Sequence, residues 1–390
     1  MAPIRVALIG LSASAKTGWA ARSHLPYLVS AQGKQHYEVV ALLNSSEEAA
    51  KRAQEQFDLP SSVRTYGDPQ LLAEDASIDL VVCNTRPDFH IDTIEPSIRA
   101  GKGIFCEWPL AENYTRAAAL TDNKLFENSI IGLQGRVVPL TQTVQEVLTS
   151  GRIGKVLSST VQAYGNLSRR NGFSESLAYF GDRKVGGNPI TIAYGHMIDL
   201  VHTVLGEWAS FESRMQIQSP EMTIVDRNES PNRSITSDVP DFLSIHGRLA
   251  KGRCDIADDA SLAISYRSGP PFKDTPAFVW NIYGEKGEIL VMSPDGPYVQ
   301  AMAHTDRLTI QLHDHQTDEV SEIPWHWQSW QEQYEVAARG VAELYERYAK
   351  WVEAGKPSVV SGDAQWPRLH DAVLRHQELD DLFAQFDAQR

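Results

Sequence analysis

The sequence predicts an α/β protein: an N-terminal doubly wound parallel sheet, then an α+β domain with a large, open-faced, mostly antiparallel sheet. Three observations predict it. Over roughly the first 135 residues, short unbroken apolar runs alternate with helical stretches. From about 208 to 323, β-rich segments follow one another with no helices between them. Two helical stretches, at about 329–354 and 363–385, close the chain. Apolar runs without polar alternation are strands covered on both faces, and strand–helix alternation implies right-handed crossovers and parallel pairing. Consecutive strands read instead as an antiparallel meander.

Taken in order, "IRVALIG" (4–10) is the first strand, ending at Gly10, and "GWAARSHLPYLVSA" is the first helix. "YEVVALLN" (37–44) is the second strand, with Ser45 and Ser46 as N-cap candidates for the helix behind it. A third strand (78–85), a helix from about 88 to 100, a fourth strand (103–108), a helix at about 112–125 and "SIIGLQG" (129–135) complete the first half. A helix near 139–150, a long strand at 156–165 and a glycine-led helix at 186–205 open the second. The expected division is 1–137 for the doubly wound domain and 138–390 for the α+β domain, whose last helices pack back on the first.

Composition removes several functions. Among 390 residues, 36 Lys and Arg stand against 50 Asp and Glu, a formal charge of −14. Nucleic-acid affinity rests largely on phosphate neutralisation, so direct nucleic-acid binding is not expected, nor is docking to an anionic membrane. Three scattered cysteines, Cys83, Cys106 and Cys254, without CxxC or CxxH spacing, suggest neither a disulfide framework nor a cysteine-rich zinc site. No apolar run approaches the ~18–20 residues that span a bilayer. The start "MAPIRVALIGLSASA" has the look of a signal peptide, but its apolar run, 6–11, is short for one. The expectation is a cytoplasmic protein acting on a small molecule.

The sharpest local signal is "GLSASAKTG" between the first strand and first helix. A dinucleotide needs a tight turn without a Cβ and free amide N–H groups at a helix N-terminus facing its pyrophosphate. Gly10 and Gly18 supply flexible ends, Ser12, Ser14 and Thr17 supply hydroxyls, Lys16 supplies a charge, and the helix opens at Trp19. The loop is longer than G-x-G-x-x-G, and Ser12 replaces its middle glycine. Where an acidic residue usually holds the ribose of NAD, Asn44 and Ser45 stand instead. That neutral pair tolerates a 2′-phosphate, so the cofactor is NADP or NAD, with a slight lean to NADP.

The strings "VVCNTRPDFH" (81–90), "AGKGIFCEWPLA" (100–111), "GLQGRVVP" (132–139), "LTSGRIGKVLS" (148–158), "IYGEKGEILV" (282–291) and "EAGKPSVVSGDAQWPRL" (353–369) together resemble the glucose–fructose oxidoreductase and inositol dehydrogenase family. Within it, "GLSASAKTGWAARSHLP", "EWPLA", "LQGR" and "YGHMID" are most similar to the branch containing the fungal galactose-pathway co-repressor and its oxidoreductase relatives. The resemblance implies that Thr85 and Pro87 border the nicotinamide ribose and pyrophosphate, that His90 faces the same cleft, and that Glu107 lies near a ribose. It implies a turn at Trp108-Pro109, often cis in the family, and places Gln134 and Arg136 over the nicotinamide.

The same resemblance exposes a gap. Family dehydrogenases use the Lys of a Glu-Lys-Pro motif and an Asp-x-x-x-His, because hydride departure from an alcohol must be coupled to proton removal. Here the Lys position is Trp108 and the Asp position is Ile192, while His196 and Asp199 fit the family's His-x-x-Asp helix. His196 is the main catalytic candidate, with an unperturbed pKa near 6.5. Tyr194 and Tyr164 are possible phenol donors, and Arg183 and Lys184 possible substitutes for the missing Lys. Trp325, Trp327 and Trp330 around His326 read either as a ring-binding cluster or as staples for the last helices. The sequons at Asn228 and Asn232 read as incidental. The leading expectation is an NAD(P)-dependent oxidoreductase that forms a homodimer. Alternatives are a catalytically silent dinucleotide-binding regulator and a redox-neutral lyase or hydrolase.

Overall fold

The structure is a computed structural model describing residues 2–12, 18–122, 129–165, 172–225, 233–358 and 365–390. The chain forms two compact units. The first comprises Met1–Gln134, Lys184–Gly186 and Ser329–Gln377; the second comprises Gly135–Arg183, Gly187–Gln328 and Glu378–Arg390.

The first unit is built on six parallel strands, β1 (Ile4–Ile9), β2 (Tyr37–Leu43), β3 (Arg64–Tyr66), β4 (Leu80–Cys83), β5 (Gly103–Glu107) and β6 (Ile130–Gly132). Their order is β3-β2-β1-β4-β5-β6, so the strand order reverses between β1 and β4. Val6, Ala7, Leu8 and Ile9 are at most 2% exposed, as a central strand covered on both faces requires. Between the strands run a π-helical turn (Ala20–His24) continuing into α1 (Leu25–Leu28), then α2 (Glu47–Gln56), α3 (Pro69–Glu74), α4 (Pro87–Arg99) and α5 (Tyr114–Ala118). Ser46 caps α2 by accepting from Ala49 N, Asp68 caps α3, and Pro87 opens α4 where its missing N–H costs nothing. The pair β3–α3 was not expected, because a three-residue strand carries no readable period. The expected helix at 112–125 is shorter, with α5 tightening into a 3₁₀ turn at Ala119–Asp122.

The second unit begins with α6 (Pro139–Thr149), β7 (Val156–Gly165) and β8 (Phe173–Ser174). A π-helical turn (Pro189–Tyr194) then leads into α7 (Gly195–Leu205). It continues through β9 (Trp208–Gln216), β10 (Glu221–Val225), β11 (Arg233–Thr236), β12 (Phe242–Leu249), β13 (Ile256–Ser268), β14 (Phe278–Gly284), β15 (Gly287–Ser293), α8 (Val299–Met302), β16 (Thr309–Asp314) and β17 (Glu319–Glu322). The eight-stranded sheet has the order β17-β16-β15-β14-β7-β13-β12-β9. It is not a plain meander: β7 sits in the middle, antiparallel to β14 but parallel to β13. Burial alternates along β12, β14 and β15, so one face is apolar and the other open. A separate small sheet, β11-β10-β8, was not foreseen. The chain ends with α9 (Val336–Glu353), which belongs to the first unit, and α10 (Leu369–Ala388), which runs from the first into the second. Among the described residues, no helix is long and apolar enough to cross a membrane.

Candidate functional site

The crossing of β1 and β4 is tight. Gly10 has φ +83°, and a Cβ on it would meet Asn84 O at 3.1 Å and Thr85 Cγ2 at 3.3 Å. Only glycine fits both the conformation and the space. Gly18 has φ +59° with open space around it, so there conformation alone selects glycine. Ser12 is half-buried, whereas Ser14, Lys16 and Thr17 lie outside the described residues.

Around this edge the unit leaves polar groups open. The indole Nε1 of Trp19 and both amide atoms of Asn84 and of Gln134 are buried and have no hydrogen-bond partner among the described residues. Asn84 directly follows β4 and Gln134 comes shortly after β6, at strand C-termini where open α/β sheets take their ligands, while Trp19 opens the first helical turn. An unpaired buried donor or acceptor costs about 1–3 kcal/mol, so such a set fits a polar ligand that would satisfy it. Asn84 was missed in the sequence because a strand-end Asn looks like a turn former.

Other expected cofactor residues are held more tightly than anticipated. Asn44 donates its Nδ2 to Leu11 O at 2.9 Å and to Ala49 O at 3.3 Å, bracing the first turn against the second, while Ser45 is exposed. Thr85 is half-buried and Pro87 buried. His90 does not face a cleft. It is 1% exposed, with Nδ1 at 2.9 Å from Pro109 O and Nε2 at 2.8 Å from Thr85 O, so it pins one turn to the other. The Trp108-Pro109 peptide is cis.

Strand parity explains Glu107 and Trp108. Phe105 and Glu107 share one face of β5. There Glu107 Oε1 lies 2.8 Å from His24 Nε2, and His24 Nδ1 lies 2.9 Å from Tyr345 Oη on α9. Glu107, expected beside a ribose, is instead 7% exposed within this chain, and a Cβ on Gly132 would come within 2.5 Å of its Oε2. Trp108 is 5% exposed, with its ring 4.7 Å from that of His376. Burial, with the neighbouring His90, pushes the His376 pKa down to about 3, so the ring is neutral at physiological pH. A tryptophan packed on an uncharged histidine thus fills the slot where the family carries Lys.

In the second unit, His196 on α7 is 9% exposed, and no described residue hydrogen-bonds its ring. Burial lowers its pKa to about 4 against the opposing pull of Asp199, so the expected value near 6.5 does not hold. Arg136, expected over a nicotinamide, forks onto Asp199: Nε donates to Oδ2 at 2.8 Å and Nη2 to Oδ1 at 2.5 Å. Ile192 packs on an apolar cluster of Phe180, Met222 and Ile224. Tyr194 is fully buried and its hydroxyl donates to Glu378 at 2.8 Å, which removes it from the proton-donor candidates.

Arg183 turns to α10, donating to Asp387 at 2.8 Å with its guanidinium 4.2 Å from the centre of the Phe383 ring. Lys184 is exposed and belongs to the first unit. Tyr164 accepts from Gln162, and Arg267 lies over its ring. Trp325 and Trp327 donate to Leu308 O and Ala303 O, while Trp330 lies against Tyr27 and Tyr334 in the first unit. The indole N–H groups of Trp325 and Trp327 are thus tied to the backbone at either end of the Ala303–Leu308 segment and not to the last helices.

Residues 4–124 match the family described as an oxidoreductase family with an NAD-binding Rossmann fold, and residues 139–293 match the C-terminal domain of Gal80p. Over 380 residues the chain is 27% identical to the dehydrogenase aclE of Aspergillus oryzae, covering 96% of each. Over 299 residues it is 25% identical to the galactose/lactose metabolism regulatory protein GAL80 of Saccharomyces cerevisiae, covering 74% of this chain and 66% of that protein. A solved super-repressor mutant of Gal80p from S. cerevisiae has a TM-score of 0.85 at 21% identity, over 100% of this chain and 97% of that one. A levoglucosan dehydrogenase in complex with NADH and levoglucosan has a TM-score of 0.71 at 16% identity, over 100% and 98%. The two structural likenesses concern the fold alone, and the relatives include both a dehydrogenase and a regulator.

Proposed function

We propose that this chain, whose residues 4–124 match the NAD-binding oxidoreductase family and whose residues 139–293 match the Gal80p C-terminal domain, is an NAD(P)-dependent dehydrogenase of a small molecule. The reaction is hydride transfer to or from a carbonyl/alcohol or imine carbon of a sugar, polyol or bulkier metabolite. The observation that carries this reading is the side-chain amide of Asn84, unpartnered among the described residues, at the end of β4 where its backbone carbonyl lies against the Gly10 turn. A nicotinamide dinucleotide, when bound, supplies or accepts the hydride at its ring.

The chain's own residues then divide the work. Gly10 and Gly18 let the backbone approach the pyrophosphate, and Ser12, Ser14 and Lys16 serve the same phosphates. Thr85, Pro87 and Pro109 shape the turns beside it. Asn44 and Ser45 carry no charge to repel a 2′-phosphate, which supports NADP alongside NAD. His196 is neutral at pH 7, so it orients the substrate oxygen by hydrogen bonding rather than storing a proton. Ile192 and the aromatic residues near it favour a substrate with an apolar flank. We further infer a homodimer, the open sheet face and exposed side chains such as Phe272 and Val320 being covered by a second copy; the mass in solution measures it.

The second reading, a dinucleotide-binding regulator without turnover, is supported by Trp108 and Ile192 standing where proton-handling groups would. Titration calorimetry with NAD⁺, NADH, NADP⁺ and NADPH, followed by nicotinamide absorbance with sugars, polyols, ketones and imines, decides between them. The expected result is binding of at least one redox pair, lost in Gly10→Val, together with turnover of at least one substrate. Binding without turnover supports the regulator, and no heat with any of the four dinucleotides overturns both.

A further inference from the structure

His202, in the last turn of α7, is fully buried, and its Nδ1 lies 2.7 Å from Gly206 O. A carbonyl oxygen only accepts, so Nδ1 carries the hydrogen, and in a neutral ring Nε2 is then a bare lone pair. That Nε2 is buried with no hydrogen-bond partner among the described residues. It points at two carboxylates, with Glu378 Oε2 at 3.3 Å and Glu207 Oε2 at 3.7 Å. A lone pair facing two anionic oxygens is repulsive unless a positive charge sits among them.

We propose that His202, Glu207 and Glu378 form a site for one divalent transition-metal cation of the Zn²⁺ type, which clamps the end of α7, the start of β9 and α10. The three ligand atoms lie within 4.8 Å of one another. Around a tetrahedral ion with bonds of about 2.0–2.1 Å, ligand atoms stand roughly 3.3 Å apart, which is the spacing seen between His202 and Glu378. The surroundings are arranged as a metal site needs. The Gly206 carbonyl behind the imidazole fixes its tautomer, and the other oxygen of Glu378 accepts from Tyr194 Oη at 2.8 Å and Trp208 Nε1 at 3.2 Å. Oε2 is thereby turned toward the ion. The Glu207 side chain is 36% exposed, which gives the ion a way in and leaves room for water as a fourth ligand. One imidazole with two carboxylates suits Zn²⁺, Mn²⁺ or Fe²⁺ better than Ca²⁺ or Mg²⁺, which take oxygen donors. All three residues belong to the second unit, and nothing in the dinucleotide reading uses them.

The competing source of positive charge is a proton, which would make His202 an imidazolium. The test takes the full chain, freed of metal by a chelator, and titrates it with zinc chloride at neutral pH. Metal analysis, calorimetry and ¹⁵N NMR of the His202 ring provide the readouts. The expected result is one zinc per chain, an Nε2 resonance of the metal-bound kind, and a raised unfolding midpoint. His202→Ala removes a buried ring and can simply unfold, so Glu207→Gln at the partly exposed ligand is the variant of choice. It is expected to abolish the zinc-induced rise in midpoint. Trp208→Phe, which removes one of the two donors to Glu378 Oε1 and keeps an aromatic ring beside His202, is expected to weaken zinc about 10-fold. The proposal is overturned if no zinc binds, if Glu207→Gln binds it as tightly as the natural chain, or if both ring nitrogens of His202 stay protonated with zinc present.

Discussion

His196 and His202 stand on one helix, both buried, and the fold treats them differently. Around His196, burial dominates: the pKa falls to about 4, because the one carboxylate that opposes this, Asp199, is itself held by the Arg136 fork. Around His202, a backbone carbonyl takes one nitrogen and two carboxylates face the other, at the helix end whose dipole favours positive charge. The comparison teaches that burying an imidazole does not by itself decide its use. What the second nitrogen faces decides it. At His196 neither ring nitrogen is bonded to a described residue, which suits a substrate oxygen; at His202 the free nitrogen meets anions, which suits a cation.

The largest expected effect is on turnover. His196→Ala should lower kcat/KM by about 10²–10³-fold, the usual cost of losing one positioned hydrogen bond to the reacting oxygen, while dinucleotide heats stay unchanged. Full activity in that variant would reduce His196 to a packing residue and erase the contrast with His202. Next comes the fork. Arg136→Met strands the Asp199 carboxylate, whose side chain is 1% exposed, and should cost about 3–5 kcal/mol in denaturant unfolding. Arg136→Met combined with Asp199→Leu should recover much of it. A loss below about 1 kcal/mol in the single variant would show that Asp199 is not held as an ion pair.

Legibility in the sequence followed the range of the interactions. Strands β1, β2, β5 and β7 were readable because a covered or alternating strand writes its period into consecutive residues, and β7 falls on the expected 156–165. The glycine turn was readable because a strand–turn–helix edge is local. Glu107 and His90 were placed on the right turns but given the wrong neighbours. Their partners, His24 and Tyr345 for one and two carbonyls for the other, come from elements the local pattern does not specify. The His202 cluster had no local signal: Trp208 and Glu378, which meet beside it, are 170 residues apart in sequence. His376, now beneath Trp108, was invisible for the same reason.

The smallest effect is on stability in acid, and its sign follows from the two lowered pKa values. His196 folds with a pKa of about 4 and His376 with about 3, both below the ordinary 6.5 of an unfolded histidine. As pH falls through 6.5 the unfolded chain takes up these protons first. Stability is therefore full above pH 6.5 and is lost steadily below it; the His196 share levels off near pH 4 and the His376 share near pH 3, as each folded ring protonates. At 1.36 kcal/mol per unit, His196 alone accounts for on the order of 3 kcal/mol across that window. His196→Gln should flatten the slope by that share. Zinc provides the sharper half of the measurement: a metal on His202 must be displaced by protons, so adding it should raise stability at neutral pH and steepen the fall in acid. If zinc shifts the whole curve by the same amount at every pH, His202 is not among its ligands, and burial alone describes both histidines.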